Sequence, residues 1–230
     1  MRIHGLQKMT LLDFPGRVAC TVFLGGCDFR CPYCHNFQLA DGSAKPLMEE
    51  GELLSFLERR KGLLEGVAIT GGEPCLHPGL PELMGKIKAL GYAVKLDTNG
   101  AHPDQLAAIL REGLADYVAM DIKNSPEKYA MTAGLKALDL APVRRSVELL
   151  MTGEADYEFR TTVVEELHEA ADFEAIGAWI AGARRWFMQP FTDRDSVPFE
   201  GLHAPSREKM EQWLAIMGRY VPESRLRGVD

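Results

Sequence analysis

Short apolar segments alternate with stretches of helical spacing along this chain, and a chain built that way has few ways to fold. RVACTVFL (17–24) is apolar and rich in β-branched residues, which reads as a buried strand. GVAIT (66–70), YAVKLD (92–97), DYVAMDI (116–122), YEFRTTVV (157–164) and RWFMQPF (185–191) repeat the pattern. Between them apolar residues recur at helical spacing. Leu53, Leu54 and Leu57 do so within 48–60, and Leu80, Leu83, Ile87 and Leu90 run up to a stop at Gly91. Pro103 and Pro142 suit the first turns of helices bearing Leu106, Ile109 and Leu110, and Val143, Val147 and Leu150. Phe173, Ile176 and Ile180 mark another helix, and Met210, Leu214, Met217 and Val221 the last.

Six strands separated by helices imply parallel βα units in one layered α/β domain over 1–230, with the last helix and tail from about 205. Six units are too few for a closed eight-unit barrel. An open partial (βα)6 barrel fits, and so does a doubly wound sheet; either puts the site at the C-terminal ends of the strands. The polar clusters obey that rule. CDFRCPYCHN follows the first strand, GGEPC the second and DTNG the third, and DIKN ends the fourth.

Charge and length narrow the function. A formal charge of -7 argues against a general nucleic-acid binder, which would carry a basic face. No apolar run approaches the ~20 residues that span a bilayer, and MRIHGLQKMTLLDFPGR has no apolar core ahead of a cleavage site. A cytoplasmic protein with reduced thiols is expected, with no membrane partner.

Three of the five cysteines, Cys27, Cys31 and Cys34, lie within eight residues in GGCDFRCPYCHN (25–36). A glutaredoxin-type dithiol should cap an apolar helix, but polar HNFQLADGSAKP follows CPYC. Haem attachment at CPYCH suits another compartment. Zinc could take the three thiolates and His35, making the chain a zinc-binding module, though four ligands so close are tighter than the usual paired arrangement. An iron–sulfur cluster explains more. Three thiolates hold three corners, one iron stays open, and Gly25 and Gly26 permit close backbone approach.

CxxxCxxC with Tyr33 before its last cysteine, followed one strand later by GGEP (71–74), resembles the radical S-adenosylmethionine enzymes. The stretch LQKMTLLDFPGRVACTVFLGGCDFRCPYCHN is similar to activating enzymes of anaerobic ribonucleoside-triphosphate reductase. The DxPG turn, LDTNG (96–100) and DIK (121–123) also resemble pyruvate formate-lyase activating enzyme. The resemblance covers most of the core and fades after Thr192. It implies a [4Fe–4S] cluster on Cys27, Cys31 and Cys34. It also implies reductive cleavage of S-adenosylmethionine (SAM) to a 5′-deoxyadenosyl radical, which installs a glycyl radical on a large partner enzyme. The same resemblance implies a low-potential electron donor such as flavodoxin or ferredoxin.

By the same resemblance Tyr33, Gly71, Gly72, Glu73, Asp97 and Lys123 line the SAM site, and Arg160 faces cofactor and substrate. Asp97 and Asp121 match a monovalent-cation site, and Asp13, in the DxPG turn, is a substrate-side candidate. Thr192 stands where a histidine is expected. A small-molecule radical enzyme, such as a 7-carboxy-7-deazaguanine synthase, is the alternative enzyme class. Cys20 and Cys75 lack cluster spacing and read as packing residues. His35 reads as an ordinary loop residue, and Trp179 and Trp186 as core.

Overall fold

The computed structural model describes residues 1–228. All six expected strands form. They are preceded by β1 (Gly5–Thr10) and run as β2 (Ala19–Leu24), β3 (Gly66–Gly71), β4 (Ala93–Thr98), β5 (Tyr117–Asp121), β6 (Asp156–Val163) and β7 (Trp186–Pro190), with β8 (Ser224–Leu226) last. The main helices are α1 (Glu50–Arg59), α2 (Leu80–Ala89), α3 (Pro103–Arg111), α4 (Ala141–Thr152), α5 (Ala170–Trp179) and α6 (Arg207–Met217).

One sheet holds all eight strands in unbroken chain order, β8-β7-β6-β5-β4-β3-β2-β1. From β2 to β8 every neighbouring pair is parallel; only β1 runs antiparallel, against β2. A doubly wound sheet would reverse its order at a switch point. This one never reverses, so the winding is that of an open partial barrel.

The two sheet faces differ, as the period-2 alternation of a strand requires. Cys20, Val22 and Leu24 of β2, Val67 and Ile69 of β3, Val94 and Leu96 of β4, Val118 and Met120 of β5 and Trp186 and Met188 of β7 join the helices' apolar stripes in one core. The residues between them face the other side. On that face Phe14, Ala19, Tyr117 and Ala119 pack into a small second cluster. It also carries Lys95, Asp97, Asp121, Glu158 and Arg160, joined to one another or to their neighbours by ion pairs.

Three sequence expectations shift. The helix expected over 48–60 starts at Glu50, because Met48–Glu49 pairs as a short strand with Arg2–Ile3. A capping box between Glu49 and Glu52 then opens α1. The tail is not only helix and coil, since β8 adds a parallel edge beside β7. Asp121 closes β5, so Lys123 lies past the strand rather than on it.

Candidate functional site

Two glycine-bearing loops fasten together at the C-terminal rim. The Gly72 amide donates to the Leu24 carbonyl and the Glu73 amide to the Gly26 carbonyl, both at 2.8 Å. A Cβ on Gly72 would lie 2.0 Å from the Gly26 oxygen, and one on Gly71, at φ +124°, 2.2 Å from the Leu24 oxygen. No side chain fits either gap, which is the physical reason for the Gly–Gly pair.

Glu73 bolts the third loop on. It is fully buried, and its carboxylate accepts from the Cys75 amide at 2.9 Å, the Thr98 hydroxyl at 2.7 Å and the Asn99 amide at 2.7 Å. Burial pushes its pKa up to about 7, against the pull of those donors.

The cysteine loop closes over this platform. The Gly26 amide donates to Leu39 and the Arg30 amide to Ala133, the latter where a Cβ on Gly134 would strike the Arg30 carbonyl. A cavity of about 240 Å³ lies beneath. Cys27, Cys31, Tyr33 and Cys34 line one side, and Gly71, Gly72, Glu73, Asp97, Asp121, Lys123 and Arg160 complete it. Eleven of the twelve sequence candidates thus meet there. Asp13 does not; it lies before β2 and accepts a hydrogen bond from the Thr21 hydroxyl.

Burial raises the thiol pKa of Cys27 to about 12 and raises those of Cys31 and Cys34. A redox dithiol needs the opposite shift. Thiols held this way would release their protons to solvent on binding a metal centre, whose positive charge stabilises the thiolates in place of the water they lack. Among the described residues no three His, Cys, Asp or Glu side chains converge on a point where one metal ion would be held. His35 also lines the cavity, with its Nε2 2.6 Å from the Thr192 carbonyl and its ring stacked on Phe191 at a centroid distance of 5.7 Å. With that nitrogen engaged and no three ligand side chains converging among the described residues, the zinc reading lacks a tetrahedral ligand set. Three thiols spread along one wall fit a cluster better than a single ion.

The facing wall is charged. Arg160 spans the two carboxylates, Nη1 to Asp97 at 3.3 Å and Nε to Asp121 at 3.0 Å. Lys123 Nζ donates to Asp121 at 2.9 Å, and Lys95 pairs with Asp97. Burial pushes both carboxyl pKa values up, but Arg160 with the two lysines outweighs it. Asp97 settles below its ordinary range and Asp121 at about 2. Lys123 stays charged despite burial because Asp121 lies beside it. Among the described residues the buried Tyr33 hydroxyl has no hydrogen-bond partner. An orphaned hydroxyl, buried cations and three thiols in one cavity fit a polar, carboxylate-bearing cofactor beside a thiolate-held cluster.

Several lining residues escaped the sequence reading. Asn99 donates to Asp28 at 3.0 Å and reaches the Cys27 sulfur at 3.8 Å. Thr162 follows Arg160 by two, so strand alternation alone places it on the site's face; Lys95, two residues before Asp97, shares that face without lining the cavity. Asn99 sits in a loop, where no such period applies.

Comparison with known proteins adds an independent line. The family model of the radical SAM superfamily matches residues 21–171. A Methanocaldococcus jannaschii protein named as a glycyl-radical enzyme activating enzyme is 27% identical over 237 residues, covering 99% of this chain and 96% of its own. The pyruvate formate-lyase-activating enzyme of Clostridium pasteurianum is 37% identical over 131 residues, 54% of this chain and 52% of that one. In structure, a domain of pyruvate-formate lyase-activating enzyme from Bacteroides vulgatus superposes with a TM-score of 0.55 at 19% identity. It covers 71% of this chain and 99% of that one, a likeness of fold.

Proposed function

The chain belongs to the radical S-adenosylmethionine superfamily, and on that premise we propose that it activates a glycyl-radical enzyme, with anaerobic ribonucleoside-triphosphate reductase as its partner. The observation that carries the reading is the single cavity into which Cys27, Cys31 and Cys34 open opposite Lys123, Asp121 and Arg160. Cys27, Cys31 and Cys34 would hold a [4Fe–4S] cluster, and Tyr33, Gly71, Gly72, Glu73, Asp97 and Lys123 would hold SAM. When bound, cluster and SAM supply reductive formation of an organic radical able to remove a hydrogen atom from glycine.

The chain's own residues do the positioning. Glu73 locks the loops after β3 and β4 into one platform, so that thiols and cofactor pocket keep a fixed separation. Lys123 offers a buried positive charge to a carboxylate. Tyr33 lines the cavity and keeps a buried hydroxyl for which the described residues supply no hydrogen-bond partner. Phe29 and Ala40 supply apolar surface on the cysteine side and help to exclude water. The relatives named for pyruvate formate-lyase activation favour a second partner, pyruvate formate-lyase.

Anaerobic reconstitution with iron and sulfide tests the chemistry. A brown protein that releases 5′-deoxyadenosine from SAM under reductant is expected, with both properties lost in Cys31→Ala. Full activity in Cys31→Ala would sink the assignment. A colourless protein that takes up zinc instead would move it to the zinc-binding module.

A further inference from the structure

Asp97 and Asp121 do not fit a free monovalent cation, because each of their four oxygens already accepts from a cationic nitrogen. Arg160 holds one oxygen of each, at 3.3 Å and 3.0 Å, and Lys123 holds the second oxygen of Asp121 at 2.9 Å. The second oxygen of Asp97 belongs to Lys95. Lys95 differs from the other two cations. It does not line the cavity, and its side chain is only 2% exposed. It rises from β4 two residues before Asp97, on the same face, so the strand itself fixes the pairing. Asp97 is its sole ion-pair or hydrogen-bond partner among the described residues.

We infer that Lys95 is a built-in monovalent cation: its ammonium does for Asp97 what a bound potassium or sodium ion would do, so the site works without either. An ammonium and a potassium ion carry the same charge and are of similar size. A buried lysine survives only when paired, and this one is tied to its partner by the chain. The nest as built holds three cations against two carboxylates. Without Lys95, Asp97 would keep only the 3.3 Å contact to Arg160 and would present a bare buried oxygen. A small cation could then enter where the ammonium was. Lys95 is thus a positioning residue, acting on the cofactor pocket through Asp97. The consequence for SAM affinity rests on the reading of the cavity as the SAM site; the cation preference of the carboxylates does not.

The test compares full chains in potassium chloride, sodium chloride and tetramethylammonium chloride at equal ionic strength. Thermal unfolding is followed on the chain as purified, and SAM binding by calorimetry after cluster reconstitution. The wild type should give the same midpoint in all three salts, within about 1 °C, and the same SAM affinity within about twofold. Lys95→Met should unfold roughly 5–10 °C lower in tetramethylammonium, the scale expected for an uncompensated buried carboxylate. It should recover much of that in potassium or sodium, because those ions bind the folded state alone. Lys95→Arg, which keeps the charge, should stay indifferent to the salt.

A purely structural lysine would not produce rescue by one cation and not another. The inference is overturned by a wild type that gains stability or tenfold SAM affinity from potassium. It is equally overturned by a Lys95→Met chain that responds alike to all three salts. Should Lys95→Met not fold, the wild-type arm and the milder Lys95→Gln decide by the same criteria. Wild type that binds SAM in no salt would count against the cofactor reading and leave the stability comparison intact.

Discussion

Replacing Gly72 with alanine should damage this protein far more than one methyl group normally does. The new Cβ would sit 2.0 Å from the Gly26 carbonyl oxygen, whereas real Cβ contacts stay beyond 3.0 Å. The loops after β2 and β3 must therefore part by about 1 Å, since backbone cannot rotate away as a side chain can. Two hydrogen bonds of 2.8 Å join those loops, Gly72 to Leu24 and Glu73 to Gly26. Each costs about 1–3 kcal/mol when its buried groups go unpaired, so the pair is worth about 2–6 kcal/mol. At about 2–4 °C per kcal/mol for a chain of this length, the melting midpoint should fall by roughly 5–20 °C. Gly51→Ala is the matched control. Gly51 lies in α1 with nothing within 4 Å of its would-be Cβ. Alanine there should gain about 0.5–1 kcal/mol of helix propensity and raise the midpoint slightly. Circular dichroism melts of the two variants beside wild type decide the matter. A Gly72→Ala midpoint equal to that of wild type would refute the close-approach argument, and iron incorporation should drop in parallel with the midpoint.

Four further outcomes follow from the buried charges. Glu158 is fully buried and held by Arg227 at 2.6 and 2.8 Å, so Arg227→Ala should cost about 3–5 kcal/mol in chemical denaturation. Tyr117→Phe, which removes one 2.7 Å bond to the same carboxylate, should cost only about 1–2 kcal/mol. Glu73 gives a pH signature: its folded pKa of about 7 lies above the ordinary 4.5, so the folded chain holds an extra proton between those values. Its contribution is therefore greatest below 4.5 and declines as pH rises through 7, and wild type should lose stability relative to Glu73→Gln over that window; a constant difference between the two would sink the claim. Arg160→Lys keeps the charge but has one nitrogen where two now bridge Asp97 and Asp121, and SAM affinity should fall about tenfold by calorimetry.

The six inner strands were legible because parallel strands buried on both faces need near-continuous apolar, β-branched runs, as in GVAIT and RVACTVFL. The edges were not. GLQKMT of β1 is mostly polar and leaves Gln7, Lys8 and Met9 exposed, and β8 is three residues long, too short for a period to register. The motifs named the cavity's walls because each followed a strand, and parallel strands deliver their C-terminal loops to one rim. Lys95 was hidden in plain view inside YAVKLD, where the apolar run draws attention away from a lysine two residues before Asp97 on the same face. The Thr192 question takes a different form in the structure. His35 bonds to the backbone carbonyl of Thr192, and a backbone contact leaves no mark on residue identity.

Electron paramagnetic resonance tests the central claim most directly. The reconstituted chain is mixed anaerobically with reductant, SAM and, in separate samples, anaerobic ribonucleotide reductase or pyruvate formate-lyase from the same organism. The account predicts a glycyl doublet with the reductase, absent when the reductase glycine is replaced and absent with Cys31→Ala. A doublet with pyruvate formate-lyase alone would keep the activase and change its partner. Release of 5′-deoxyadenosine with no doublet on either enzyme would contradict the activase reading and point to a small-molecule substrate.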